Sequence, residues 1–179
     1  MIDNSKKIYL TVRDYTVSGE TFGLYRDEKM DMLITFPKPN ERDLHKYYES
    51  EAYISHTDGR GSLFEMMYQF VKRFALKKKV NLLNDLHPNK GKLLDIGAGT
   101  GDFLTVAKQN GWETTGIEPS EKAKAIATKK GISFAEATDK LENNSFDVIT
   151  MWHVLEHVPN LEQQIKELKR LLKPDGLGR

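Results

Sequence analysis

The sequence predicts an α/β protein built on a parallel sheet, preceded by a smaller β-rich segment. Three observations point there. Lys92-Leu93-Leu94-Asp95-Ile96 reads as a buried strand, and it runs directly into the glycine turn Gly97-Ala98-Gly99-Thr100-Gly101 and a helix opened by Asp102. Beyond it, strand-like and helix-like segments alternate, the pattern of parallel strands joined by right-handed crossovers. With 179 residues, the chain is long enough for one domain with a real core and a small appendage.

Taken in order, residues 7 to 36 are β-rich: Ile8, Leu10, Val12, Tyr15, Val17, Phe22, Leu24 and Ile34 recur in short runs separated by Ser18-Gly19-Glu20 and Arg26-Asp27-Glu28-Lys29. Pro37 and Pro39 close this region. Residues 40 to 50 suggest a short helix capped by Asn40, with Leu44, Tyr47 and Tyr48 on its apolar side. Residues 62 to 79 carry the clearest helical pattern, with Ser62 as a cap and Leu63, Met66, Met67, Phe70, Val71 and Phe74 along one face. Pro88-Asn89-Lys90-Gly91 breaks the chain before the first central strand. There follow strand 92–96, helix 101–110, strand 112–118, helix 120–130, a short strand near 132–135, strand 146–152 and helix 160–172. The domain division is placed after residue 60, with a β-rich segment and lid over 1–60 and a ligand-binding domain over 61–179.

Composition narrows the classes. Charged residues make up 30% and the net charge is +1, which gives no general field for nucleic acid or an anionic membrane. The chain has no cysteine, so disulfides and thiolate metal sites or nucleophiles are excluded. The polar start Met1-Ile2-Asp3-Asn4-Ser5-Lys6-Lys7 has no signal-peptide core, and no apolar run approaches a membrane span, so the expected location is the cytoplasm.

The glycine turn lets a ligand lie directly on backbone, because no Cβ stands in the way. A helix N-terminus normally attracts phosphate. Asp95 at the strand end and Asp102 at the helix start oppose one, which favours a cationic or neutral nucleoside, such as adenosine carrying a sulfonium. The spacing agrees: a dinucleotide fingerprint, Gly-x-Gly-x-x-Gly, would need its third glycine where Asp102 stands, so a nicotinamide-dependent oxidoreductase is the weaker reading. A second strand, Glu113-Thr114-Thr115-Gly116-Ile117, ends in Glu118, an acid placed to accept from both ribose hydroxyls. The competing reading is a plain strand-to-helix turn with a surface acid nearby.

These segments resemble the first two motifs of class I S-adenosylmethionine-dependent methyltransferases, the second being Gly116-Ile117-Glu118-Pro119-Ser120. Phe146-Asp147-Val148-Ile149-Thr150-Met151-Trp152-His153-Val154-Leu155-Glu156-His157-Val158 is similar to the fourth-strand segment of that family's small-molecule branch, and Leu171-Leu172-Lys173-Pro174-Asp175-Gly176 to the turn before its fifth strand. The resemblance spans roughly residues 90 to 176. It implies a Rossmann-like sheet of the class I methyltransferase type, S-adenosylmethionine as cofactor, and a small-molecule methyl acceptor. It also implies roles. Gly97, Gly99 and Gly101 allow backbone approach, Asp95 orients the turn and contacts the methionine amine, and Glu118 holds the ribose. Ile117 and Pro119 flank the adenine, Glu136 accepts from its amino group, and Met151 and Trp152 line the methionine end. The region of Val17 to His56 is similar to the leader of bacterial members that carry a zinc-ribbon-like element. Asp27 and Met30 stand where those have cysteines, so no metal is expected.

Methyl transfer from a sulfonium needs positioning more than activation. A general base is needed only for an acceptor that must lose a proton, and His153, nearest the strand end, is the candidate. Its other reading is a backbone contact to the cofactor; His157 reads as structural. His153-Val154-Leu155-Glu156-His157 matches an inverted zinc-peptidase pattern, but it sits at a strand end with no distal acidic ligand. Tyr47, Tyr48, Tyr53 and His56 suggest a lid over the acceptor or packing against the core; Met66, Met67 and Phe70 read as core, and Lys77-Lys78-Lys79 as a solvated helix end. After Lys173-Pro174-Asp175-Gly176, read as a turn, only Leu177-Gly178-Arg179 remain where a fifth strand is expected. The sequence therefore reads as C-terminally truncated, with Phe146 to Trp152 left as an apolar sheet edge open to homodimer formation. A non-catalytic cofactor-binding or interaction module is the alternative function.

Overall fold

The computed structural model describes residues 8–15, 18–28, 31–38 and 63–178, giving backbone only at 63–66 and 68. The chain divides into two compact units, Met1–Arg60 and Gly61–Arg179. The first contains an antiparallel meander of β1 (Ile8–Arg13), β2 (Thr21–Asp27) and β3 (Met32–Phe36). Its first turn is tied by Asp14, whose carboxylate accepts from the Ser18 amide at 2.8 Å and the Ser18 hydroxyl at 2.9 Å. Arg26 and Asp31 pair across the second turn at 2.6 Å, both exposed. Asp27 ends β2, whereas Met30, the helix expected over 40–50, and Tyr47, Tyr48, Tyr53 and His56 lie outside the described residues.

The second unit runs α1 (Leu63–Leu86), β4 (Lys92–Ile96), α2 (Asp102–Gln109), β5 (Glu113–Ile117), α3 (Glu121–Lys129), β6 (Ser133–Phe134), β7 (Phe146–Thr150), α4 (Leu161–Leu171) and β8 (Leu172–Gly178). All five strands are parallel, in the order β6-β5-β4-β7-β8. Neighbouring side chains on a strand point to opposite faces, so the apolar runs of β4 and β7 serve two cores at once, as a covered parallel sheet requires. Leu93 and Val148 pack with Val80, Leu83, Phe103, Leu104, Ala107 and Ala127 from α1, α2 and α3. Leu94 and Ile149 pack on the other face with Phe146 and Leu171. Helix starts are locally encoded: Ser120 accepts from the Ala123 amide to cap α3, and Asn160 accepts from the Gln163 amide to cap α4.

Two expectations need correction. The fourth strand is not an edge. β8 pairs with β7 at Phe146↔Leu172, Val148↔Leu177 and Ile149↔Gly178, with an irregularity between the first two pairs. Lys173-Pro174-Asp175-Gly176 is taken up inside the strand as that irregularity, because pairing resumes on both sides of it and Lys173 is anchored to Asp147 at 2.8 Å. β7 is consequently buried, with Val148, Ile149 and Thr150 at 1% exposure or less, and an edge-to-edge dimer through it has no open edge to use. The second correction concerns α1. Met67, Phe70, Val71 and Phe74 are exposed, and the core face is Leu76, Val80 and Leu83. The helix runs seven residues past the expected end, to Leu86, and it is this later stretch that meets the sheet.

Candidate functional site

The carboxyl ends of β4, β5, β6 and β7 lie on one side of the parallel sheet, where open α/β folds bind ligands. From these ends come Asp95, the turn Gly97–Gly101, Glu118, Glu136, Met151 and His153. The turn is built onto β5: the amides of Gly97 and Ala98 both donate to the Ile117 carbonyl, at 2.8 and 3.0 Å. Glu118 completes the attachment. One carboxylate oxygen accepts from the Gly99 amide at 2.8 Å and the other from the Ser120 amide at 2.9 Å. Two charge-assisted bonds fix its plane and leave one acceptor site on each oxygen. That arrangement suits a vicinal diol.

The three glycines differ in what they permit. All have left-handed backbone, with φ of 77°, 53° and 72° at Gly97, Gly99 and Gly101. A Cβ on Gly97 would run into Val154, and one on Gly101 would stand 2.6 Å from the Ala127 Cβ on α3. A Cβ on Gly99 would meet nothing within 4 Å. Gly97 and Gly101 are therefore required by close packing, and Gly99 alone faces open space.

Asp95 does not bind the turn. It is 3% exposed and accepts from the Thr150 hydroxyl at 2.6 Å, joining β4 to β7 beneath the site. Burial pushes its carboxyl up to about 7, opposed by the Thr150 bond and by Lys79, with Glu118 adding to the rise. Lys79, reaching from α1, sits 4.2 Å from the centre of the Trp152 ring, and burial lowers its ammonium against the pull of Asp95. Trp152 also meets Phe103 edge-on at 5.6 Å, and its buried indole N–H has no partner among the described residues.

Asp102 plays a different part from the one read in sequence. Lys72 and Lys130 both pair with it, at 2.7 and 2.6 Å, and Lys130 also donates to the Thr100 carbonyl. Burial opposes ionisation of Asp102, but the two lysines outweigh it and hold the carboxyl below its usual range. With two cations against one anion, Asp102 is no barrier to a pyrophosphate. It clamps the α2 terminus to α1 and to the end of α3. The lysines lie 30 residues upstream and 28 downstream of it, so periodicity around the turn gave no sign of them.

Past β7, His153 adopts φ of 57°, unusual for a non-glycine residue, and its ring is 87% exposed, 3.7 Å from the Glu156 carboxylate. His157 closes a short 3₁₀ turn, Leu155–His157. Met151 is half-buried, while Pro119 and Glu136 are exposed. Among the described residues, no group of three or more histidine or acidic side chains is gathered as metal ligands are.

A parallel sheet with a backbone cradle open at Gly99 and a fixed carboxylate at the next strand end defines a nucleoside-binding α/β domain. Residues 67–177 match the family described as "Methyltransferase domain". The ubiquinone biosynthesis O-methyltransferase of Haemophilus ducreyi is 34% identical over 56% of this chain and 52% of its own length. The demethylmenaquinone methyltransferase of Staphylococcus aureus is 30% identical over 78% of this chain and 60% of its own. Among solved structures, an S-adenosylmethionine-dependent methyltransferase of Thermotoga maritima superposes with a TM-score of 0.50 at 32% identity, covering 63% of this chain and 54% of the other. The PH0226 protein of Pyrococcus horikoshii gives 0.53 at 27% identity, covering 73% and 62%. The chain belongs to the methyltransferase domain family, of the class I S-adenosylmethionine-dependent type. It spans between 52% and 60% of the length of these two curated relatives.

Proposed function

We propose that this chain binds S-adenosylmethionine at the Gly97–Gly101 turn and directs its methyl group to a small molecule. The observation that carries the proposal is the pairing of Gly99, whose missing side chain faces open space, with a Glu118 carboxylate held by the Gly99 and Ser120 amides. Backbone at Gly99 receives the nucleoside, and the remaining acceptor sites of Glu118 take the ribose hydroxyls. Ile117 and Pro119 flank the adenine, and Glu136 accepts from its amino group. Asp95 attracts the methionine amine from beneath, Met151 lines that end, and the orphaned Trp152 N–H supplies a donor beside it.

The cofactor brings a methyl already activated on a positive sulfur, so the residues of the chain have only to position the acceptor and manage one proton. His153 takes that proton when the acceptor is a hydroxyl. Its left-handed backbone supports a functional reason for its place, because such strain costs on the order of 1–3 kcal/mol and gathers at working sites. The names of the relatives support a quinone-type acceptor, and the absence, among the described residues, of a helix long and apolar enough to cross a membrane is compatible with a cytoplasmic enzyme. We further propose that the chain divides functionally after residue 60, with the cofactor site lying within Gly61–Arg179.

Calorimetry with S-adenosylhomocysteine tests the binding half: saturable binding weakened by Glu118→Ala is expected, and equal affinity of both proteins defeats the ribose assignment. Mass spectrometry of hydroxylated quinones incubated with protein and S-adenosylmethionine tests transfer. Cofactor binding with no methylated product from any of them would leave a binding module and sink the catalytic reading.

A further inference from the structure

Helix α1 carries two apolar lines. Leu76, Val80 and Leu83 pack into the core, with Val80 and Leu83 at 1% exposure or less. Met67, Phe70, Val71 and Phe74 form the second line, and it is exposed: Phe70 by 74%, Phe74 by 66%, Met67 by 63%. Phe74 and Leu76 are two residues apart, so they point about 200° apart around the helix axis. The second line is thus opposite the core-facing one, and no rotation of α1 could bury both against the same sheet. Four large apolar side chains in successive turns of one helix are more than the scattered surface residues of an ordinary domain.

The charges beside this line have one sign. From Met66 to Asn84 the sequence contains Lys72, Arg73, Lys77, Lys78 and Lys79, and no acidic residue. Lys72 is committed to Asp102, and Lys79 lies over Trp152. Arg73, Lys77 and Lys78 are exposed. Lys78 lies four residues after Phe74, and Lys77 three, so both continue the apolar line by one more turn. Asp85, the next acid on that line, is two turns beyond Lys78. The net charge of +1 conceals this local concentration.

An exposed apolar stripe flanked by cations, on a helix whose other side is held by the sheet, is the chemistry of a helix lying in a lipid interface. We propose that the Met67–Lys78 face of α1 is a peripheral docking surface for anionic membranes, with Met67, Phe70, Val71 and Phe74 entering the headgroup boundary and Arg73, Lys77 and Lys78 meeting lipid phosphates. A second copy of the chain fits this face poorly, since it brings the same cations and no acid to oppose them. The inference stands independently of the methyl-transfer reading, because it concerns the helix face turned away from the sheet.

The test is co-sedimentation with vesicles of equimolar phosphatidylcholine and phosphatidylglycerol, against phosphatidylcholine alone. The wild-type chain is expected to bind the anionic vesicles, and to bind less as salt is raised. Phe70→Ser with Phe74→Ser should cut the partition coefficient at least about tenfold, and Lys77→Glu with Lys78→Glu should abolish the preference for anionic lipid. Absence of vesicle binding by the wild type overturns the proposal, as does binding that neither double variant alters. A concentration-dependent dimer in light scattering that the phenylalanine variant dissolves assigns the stripe to a second copy instead. Should that variant lose its cooperative melt, the stripe belongs to a protein core, and the proposal fails equally. A Phe70→Trp variant gives an independent readout: its fluorescence should shift to the blue on anionic vesicles and stay unchanged if α1 does not enter lipid.

Discussion

Replacing Gly99 or Gly101 by alanine separates the glycine that faces open space from one that serves packing. At Gly101 the new methyl would stand 2.6 Å from the Ala127 Cβ and 3.2 Å from Ile132, on backbone with φ of 72°. Left-handed backbone costs an alanine about 1–2 kcal/mol, and overpacking of this kind adds about 1–3 kcal/mol, for a loss on the order of 2–5 kcal/mol. At roughly 2–4 °C per kcal/mol for a chain of this size, the melting temperature of Gly101→Ala should fall by on the order of 4–20 °C. At Gly99 the methyl meets no protein atom within 4 Å, so only the backbone cost of about 1–2 kcal/mol applies. That methyl does, however, enter the space proposed for the nucleoside, and affinity for S-adenosylhomocysteine should fall at least about tenfold. Thermal melts report the first effect, and calorimetry well below the melting range reports the second. The reasoning is refuted if Gly99→Ala binds as tightly as wild type, or if Gly101→Ala melts with the wild type.

Three further outcomes are expected. Glu118→Ala should weaken S-adenosylhomocysteine binding by about 1–3 kcal/mol, the cost of leaving ribose hydroxyls without a charged acceptor, and should loosen the turn by freeing the Gly99 amide; titration calorimetry measures it. Asp95 is raised by burial from 3.8 to about 7, so between those values the folded chain holds a proton that the unfolded chain has lost. Stability should therefore fall as pH rises from about 4 to 7, by at most on the order of 4 kcal/mol, and level off above; Asp95→Asn should flatten that slope in urea melts, and an unchanged slope removes Asp95 as its source. His153→Asn, which retains a residue tolerant of left-handed backbone, should lower kcat at least about a hundredfold on a hydroxyl acceptor with little change in KM, and an unaltered kcat dismisses the base.

The α/β class, the five elements from β4 to β6, the glycine turn and the acid at position 118 can all be read along the chain. Each of these is written in neighbouring residues: an apolar run, glycines that need left-handed backbone, a serine or asparagine cap. What those residues touch follows only from folding. Asp102 looked like a bare charge at a helix start until Lys72 and Lys130 folded onto it. Glu118 was legible as an acid at the end of β5, but not as the tether of Gly99. Lys173-Pro174-Asp175-Gly176 has the composition of a turn and lies in a strand, because pairing with β7 on either side of it outweighs local preference. The stripe from Met67 to Phe74 has the period of a core face and is exposed, because periodicity shows that a helix has an apolar side without showing where the sheet stands. That position is set by packing between residues far apart in the chain, such as the cluster that gathers Leu83 of α1, Leu93 of β4 and Val148 of β7.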